Sequence, residues 1–161
     1  MNIINKKTTI LFIVLFSIIT FIRLFNLSSS PASLYWEEAA LGYDAYSILK
    51  TGKDFHGHKF PLVAFESFGD YKPSGYFYAT ALSEKFLGLN TLAVRLPSII
   101  SGFIIIIFSY LISLEIFKNN KQKIIIGLIS AALVGVSPWA FQFSRAGFEA
   151  NLATALSAMA I

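Results

Sequence analysis

Cysteine is absent and charged side chains are scarce in this chain of 161 residues. The absence of cysteine excludes disulfides, thiolate metal sites and cysteine nucleophiles. Charged residues make up 14% of the chain, against about 25% in a typical globular domain. The net charge is +4, but no run of Lys and Arg is long enough to follow a phosphate backbone. Nucleic acid is therefore not an expected partner.

Hydrophobic residues are abundant, at 55% of the chain, and the mean hydropathy is +0.64. These residues are gathered into runs, and a chain of this size has too little interior to bury them all. The sequence therefore predicts an all-α, polytopic transmembrane helical protein. We expect a long extracytoplasmic first loop that contains amphipathic juxtamembrane helices.

Three apolar runs approach the length of about 20 residues that a membrane-spanning helix needs. They cover residues 8–27, 96–114 and 124–144, and a fourth run begins at residue 150 and reaches the last residue, 161. The fourth run predicts a truncated transmembrane helix 4, and hence the N-terminal part of a longer protein. A cleaved signal peptide is the alternative for residues 8–27, but this run exceeds the roughly 7–15 apolar residues of a signal core. An uncleaved anchor is favoured, with Arg23 reaching the headgroups.

The distribution of charge predicts the orientation. Lysines precede the first run and lie between the second and third, at Lys6, Lys7, Lys118, Lys121 and Lys123. By the positive-inside rule both segments face the cytoplasm. The predicted organisation is a cytoplasmic N-terminus with helix 1 (1–27), an extracytoplasmic catalytic-type loop (28–95), helices 2 and 3 with a basic cytoplasmic connector (96–144), and an outer connector with the start of helix 4 (145–161). The expected location is the plasma (cytoplasmic) membrane, with several passes.

The loop 28–95 is longer than a connection requires and rich in aromatic residues. It predicts one helix from an N-cap at Ser33 through Leu49, stopped at Gly52, and a second over residues 74–87, stopped by Gly88. Glu37 and Asp44 lie two turns apart on one face of the first helix. Both helices are typical of a membrane interface, and packing on the bilayer is the simplest role for their aromatic side chains.

Four charged residues are candidates for chemistry. Glu37 and Glu38 begin the first loop helix, where the helix dipole favours negative charge and a carboxylate could act as a general base. Lys72 precedes Pro73, which biases it to an extended conformation, and it is a candidate phosphate contact. Arg145 either anchors a helix end or joins Lys72 in holding an anion.

His56 and His58 form an H-x-H pair near Asp54. Such a pair occurs in zinc sites, but no third ligand can be specified, and a turn around Gly57 is the favoured interpretation. No metal site and no cofactor is predicted, and the need for a divalent metal is left open.

The order of several short motifs resembles a known family. They are Trp36-Glu37-Glu38, the Lys72-Pro73 corner, the aromatic stretch 75–78 and Arg95-Leu96-Pro97-Ser98. Together they resemble the N-terminal portion of membrane glycosyltransferases of the GT-C fold, in the superfamily of protein O-mannosyltransferase-like enzymes and aminoarabinose (lipid A) transferases.

The resemblance implies an inverting enzyme that transfers a sugar from a polyprenyl-phosphate-linked donor to a protein or lipid hydroxyl on the outer face of the membrane. It implies catalytic carboxylates at Glu37 and Glu38, where the family usually has Asp followed by Glu, and donor-phosphate contacts at Lys72 and Arg145. Asp44 and Tyr76 are weaker substrate-binding candidates. The implied partners are the lipid-linked donor, the acceptor and membrane lipids. Ser74 replaces the usual second proline, and the fragment is expected to be inactive alone.

Two other functions fit the composition. A non-enzymatic integral membrane anchoring or assembly subunit accounts for the hydrophobicity and the amphipathic loop, but not for the order of the motifs. A transporter fragment is less favoured, because the apolar runs lack charges that line a path.

Overall fold

The computed structural model describes residues 6–27 and 29–161, without the side chains of Lys7 and Thr8. These residues form seven helices and one β-hairpin. The helices are α1 (Lys6–Leu24), α2 (Trp36–Thr51), α3 (Ser74–Leu87), α4 (Thr91–Ile116), α5 (Lys123–Val136), α6 (Pro138–Arg145) and α7 (Glu149–Met159); the strands are β1 (Ala64–Ser67) and β2 (Asp70–Pro73). The hairpin between α2 and α3 corrects the expectation of an all-α chain.

The prediction of a polytopic transmembrane protein is wrong. Among the described residues, α4 alone is long and apolar enough to cross a membrane by itself. The predicted run 124–144 is divided at Ser137 into α5 and α6, which meet at a bend of 58°. Pro138 begins α6 and has no N–H to continue the ladder of α5. The apolar helix Thr9–Leu24 within α1 is shorter than the length of about 20 residues that a membrane span needs.

The two helices predicted in the loop both exist. The second is confirmed at both ends, since α3 runs Ser74–Leu87 with Gly88 as its C-cap. The first ends with Gly52 as its C-cap in the left-handed conformation, at φ 70°, which glycine adopts without steric cost. It begins at Trp36 and not beside Ser33, because Tyr35 is the N-cap. There the backbone N–H of Tyr35 donates to Oε2 of Glu38 at 2.9 Å, a carboxylate reaching back over the first turn.

Two apolar clusters hold the described elements together. The first joins α2, the hairpin, α3 and α4, and contains Leu41, Ile48, Phe65, Tyr76, Phe77 and Val94. Phe65 and Phe77 are stacked within it, with ring centroids 4.2 Å apart. The second joins α1, α4 and α5 through Ile19, Ile106 and Ala131. The first cluster fixes α2 against the hairpin, where the candidate site lies.

Candidate functional site

Glu37 and Lys72 are brought together although they are 35 residues apart in the chain. Lys72 lies opposite Phe65 in the antiparallel hairpin, and cross-strand partners share one face of a sheet. Phe65 is fully buried in the cluster that contains Leu41 of α2. The face that carries Lys72 is therefore the face that packs on α2, and Nζ of Lys72 donates to Oε1 of Glu37 at 3.2 Å.

Two further carboxylates surround the same ammonium. Nζ of Lys72 is 3.6 Å from Oδ2 of Asp70 and 3.9 Å from Oε1 of Glu149, in the first turn of α7. The hydrogen bond that Lys72 donates to Glu37, followed by the charges of the neighbouring carboxylates, raises the pKa of Lys72, so the ammonium keeps its charge at neutral pH. We call Glu37, Asp70, Lys72 and Glu149 the lysine cluster. Its formal charge is −2, from three carboxylates and one ammonium.

The lysine cluster is accessible from solvent. The side chain of Lys72 is 19% exposed and that of Glu37 is 33% exposed, while Asp70 is 73% exposed. Glu37 lies in the first turn of α2, where the N-terminal dipole stabilises a carboxylate. A carboxylate and an ammonium in direct contact and open to solvent can take a proton from one substrate group and hold an anionic group of another.

Glu38 lies in the protein interior and not in the lysine cluster. It is 1% exposed. Its Oε1 accepts from Nε of Arg95 at 3.1 Å and from the backbone N–H of Gly147 at 2.6 Å. With the contact from Tyr35 described above, both oxygens are engaged. Glu38 thus joins α2 to α4 and to the turn before α7, and its geometry is that of a structural carboxylate.

Arg145 is placed at the end of α1. Its guanidinium donates to five main-chain carbonyl oxygens in the segment 22–30, including those of Ile22 and Phe25 at 2.8 Å each. A cation suits the C-terminal end of a helix, where carbonyl groups lack partners. Of the two roles predicted for Arg145, this geometry is that of a helix anchor.

Arg23 and Arg95 make similar hydrogen bonds to main-chain carbonyl groups, which the sequence did not predict. Arg95 is fully buried and donates to the carbonyls of Leu27, Pro31 and Ser33 as well as to Glu38. Arg23 does not extend toward headgroups: it is 2% exposed and donates to the carbonyls of Gly135 and Ala140 and to Oγ of Ser144. Arg95 of α4 and Arg145 of α6 therefore hold the segment after α1, whereas Arg23 ties the end of α1 to α5 and α6.

Asp44 and Tyr76, the weaker candidates, have different positions. Tyr76 is 1% exposed, and its hydroxyl contacts the carbonyl of Val94 at 3.0 Å and Oγ of Ser98 at 2.9 Å, so it ties α3 to α4. Asp44 is 3% exposed and lines a cavity of about 420 Å³ between α2, residues 55–56 and the hairpin. Its Oδ1 accepts from the backbone N–H of Phe55 at 2.7 Å.

The cavity adjoins the lysine cluster. Its lining includes Ala40, one turn after Glu37, and Phe68 and Gly69, which precede Asp70 in the hairpin turn. Phe68 is stacked on Trp36, with ring centroids 5.0 Å apart. The sequence marks Trp36 only as a neighbour of the two glutamates; the stacking on Phe68 depends on a packing of the hairpin that spacing does not reveal.

The histidine pair forms part of a turn. Nδ1 of His58 lies 3.0 Å from Oδ2 of Asp54, whose Oδ1 accepts from the backbone N–H of His58 at 2.7 Å. In the part of the chain that the structure describes, no group of three or more His, Asp or Glu side chains could hold a metal ion.

Comparisons with models of protein families, with curated proteins and with solved structures find no match for this chain.

Proposed function

We propose that the chain binds a polyprenyl-phosphate-linked sugar and transfers the sugar to a hydroxyl acceptor at a membrane surface, with inversion. The observation that carries this proposal is the solvent-accessible contact between Glu37 and Lys72. This contact places a base, the carboxylate of Glu37, 3.2 Å from a cation, the ammonium of Lys72. The resemblance of the Trp36-Glu37-Glu38 and Lys72-Pro73 motifs to GT-C glycosyltransferases points to the same reaction.

The roles follow from charge. Glu37 accepts the proton of the acceptor hydroxyl as its oxygen attacks the anomeric carbon. The bond between that carbon and the phosphate oxygen breaks at the same time, and the electron pair leaves with the polyprenyl phosphate. Lys72 stabilises the negative charge that develops on this phosphate. Because Lys72 also donates to Glu37, a phosphate bound to Lys72 competes with that carboxylate for the ammonium.

The test is donor cleavage by the full chain in detergent or vesicles. Polyprenyl-phosphate mannose, glucose and galactose are supplied with mixed lipid and peptide acceptors, and release of polyprenyl phosphate is measured. We expect Glu37→Gln to lower the rate by about 10²–10⁴-fold and Lys72→Ala by about 10²–10³-fold. Glu115→Gln is the matched control, since Glu115 is 76% exposed and contacts Lys118. A wild-type rate in Glu37→Gln, or no cleavage of any donor, contradicts the proposal.

A non-enzymatic anchoring or assembly subunit is the second candidate. The formal charge of −2 on the lysine cluster favours it, because three carboxylates already compensate the ammonium and oppose a phosphate. In that case Lys72→Ala lowers the unfolding temperature and no donor is cleaved. Loss of cleavage with unchanged unfolding supports the transferase.

A further inference from the structure

The cavity beside the lysine cluster has the size and lining of a small-molecule binding site, and neither Glu37 nor Lys72 lines it. Its volume of about 420 Å³ lies within the range of about 300–1,000 Å³ for small-molecule sites. It is formed by α2 on one side, the hairpin turn on another and residues 55–56 at the end. All three elements are held by the first apolar cluster or by the bond from Phe55 to Asp44.

Aromatic side chains surround the cavity and are exposed. Tyr43, Phe55 and Phe68 line it and are 52%, 67% and 63% exposed. Trp36, stacked on Phe68, is 57% exposed. Such large rings usually bury most of their surface, and a cluster of exposed apolar groups around a concavity marks a binding surface. The ligand is therefore expected to present an apolar face.

Asp44 adds one polar group to this apolar lining. Its Oδ1 is engaged by Phe55, but its Oδ2 accepts no hydrogen bond from the described residues, although the side chain is almost fully buried. Because Asp44 lines the cavity, this oxygen is free to accept a hydrogen bond from a donor on a ligand bound there. Burial also raises the pKa of Asp44, which disfavours its ionised form and suits a neutral donor. Glu66, also in the lining, offers a second acceptor.

We propose that this cavity binds a pyranose ring, with its C–H face on the aromatic side chains and a ring hydroxyl donating to Oδ2 of Asp44. A sugar ring combines an apolar face with hydroxyl donors, which are the two properties of the lining. The partially positive C–H groups of the ring match the negative faces of the aromatic rings. The inference deepens the proposed function and rests on it, because the proposed reaction brings a sugar close to Lys72.

The ring belongs either to the lipid-linked donor or to a glycosylated acceptor. Two lining residues adjoin the lysine cluster: Gly69 precedes Asp70 in the chain, and Phe68 stacks on Trp36, the neighbour of Glu37. A ring that contacts Asp44 lies about two helical turns from Glu37, since the two residues are seven positions apart on α2. The chemistry recognised is the same for both sources, and the experiment separates them.

Binding is tested by saturation-transfer NMR on the full chain in detergent, with methyl glycosides of glucose, mannose and galactose as probes. We expect saturable transfer to the ring protons of at least one glycoside and a loss of affinity of about tenfold in Asp44→Asn, which equals about 1.4 kcal/mol. Phe68→Ala is a second variant at an exposed position, and it weakens the same signal. Glu115→Gln is the control and leaves it unchanged.

Competition identifies the source of the ring. Displacement of the glycoside by a polyprenyl-phosphate sugar, but not by polyprenyl phosphate, supports a donor ring; a glycoside that itself accepts sugar supports an acceptor ring. Three results would overturn the inference. They are equal transfer signals in wild type and Asp44→Asn, the absence of binding of any glycoside, and displacement of the glycoside by choline. These outcomes are independent of Glu37→Gln, so a chain that binds glycosides but cleaves no donor contradicts the proposed function alone.

Discussion

Glu37 and Glu38 are adjacent at the start of α2, but changing each to glutamine is predicted to affect stability differently. In Glu38→Gln the carboxylate that faces Arg95 at 3.1 Å is neutralised, while the shape of the side chain is kept. Both partners are almost completely buried, with side-chain exposures of 1% and 0%. The change leaves the guanidinium without a counter-charge in the interior.

The expected magnitude follows from that burial. Removing one partner of a buried ion pair costs about 3–5 kcal/mol. For a chain of this size each kcal/mol lowers the unfolding temperature by about 2–4 °C, so the expected decrease is about 6–20 °C. Glu37→Gln changes an accessible side chain, for which the expected effect on stability is within about 0.5 kcal/mol.

The assay is thermal unfolding of both variants in the same detergent, followed by circular dichroism. A double variant, Glu38→Gln with Arg95→Met, tests whether the loss arises from the uncompensated guanidinium, since removal of the second charge recovers part of the stability. If Glu38→Gln unfolds within about 2 °C of Glu37→Gln, the assignment of Glu38 as a structural carboxylate is refuted.

Three further substitutions are predicted to act on stability. Burial raises the pKa of Glu84 to about 7 from 4.5, so the folded state favours the protonated form and stability falls as pH rises between these values; Glu84→Gln therefore stabilises the chain at about pH 8, by up to about 3 kcal/mol, and far less at about pH 5. Equal shifts in unfolding temperature at both pH values contradict this. Gly42→Ala places a Cβ 2.7 Å from Cγ2 of Val94 and costs about 1–3 kcal/mol through overpacking; an unchanged denaturant midpoint argues against the α2–α4 contact. Arg145→Lys loses several bonds to carbonyls after α1 and exposes residues 22–30 to limited proteolysis, whereas a higher KM for the donor with unchanged proteolysis indicates an anion contact.

Local signals in the sequence predicted the helices that flank the hairpin. Gly88 marks the end of α3 and Gly52 that of α2, because glycine is favoured where a helix terminates. The start of α2 was misplaced by two residues: Ser33 was predicted as the N-cap, whereas the N-cap is Tyr35, whose backbone N–H donates to Glu38 from within the helix. The usual N-cap rule looks for a polar side chain at the cap position itself. It does not detect a helix start at which Glu38, three residues later, accepts from the backbone of the cap.

The apolar runs were the weaker guide. The rule that a span contains no charge placed the start of the second run after Arg95, whereas α4 begins at Thr91 and includes Arg95 as a buried residue. The rule also passed through Pro138, where the chain bends. Hydropathy counts the apolar residues of a segment and does not register where a helix bends or ends, as it does between Val136 and Pro138. The number of spans was overestimated for this reason.

The phase of α2 separates the two glutamates, and it explains which of them is available for chemistry. Successive residues of a helix point about 100° apart, whereas residues three or four positions apart share a face. Counting back from Leu41 by three reaches Glu38, so Glu38 belongs to the buried stripe that continues through Ala45. Counting forward from Glu37 by seven reaches Asp44, which lines the cavity.

This much was readable from spacing. The cation that contacts each glutamate could not be predicted from spacing. Arg95 belongs to α4 and Lys72 to the hairpin, and their positions depend on how those elements pack. A carboxylate on the stripe that reaches solvent, beside a lysine and an aromatic cavity, can exchange its partner for a substrate; one on the buried stripe cannot do so without opening the core.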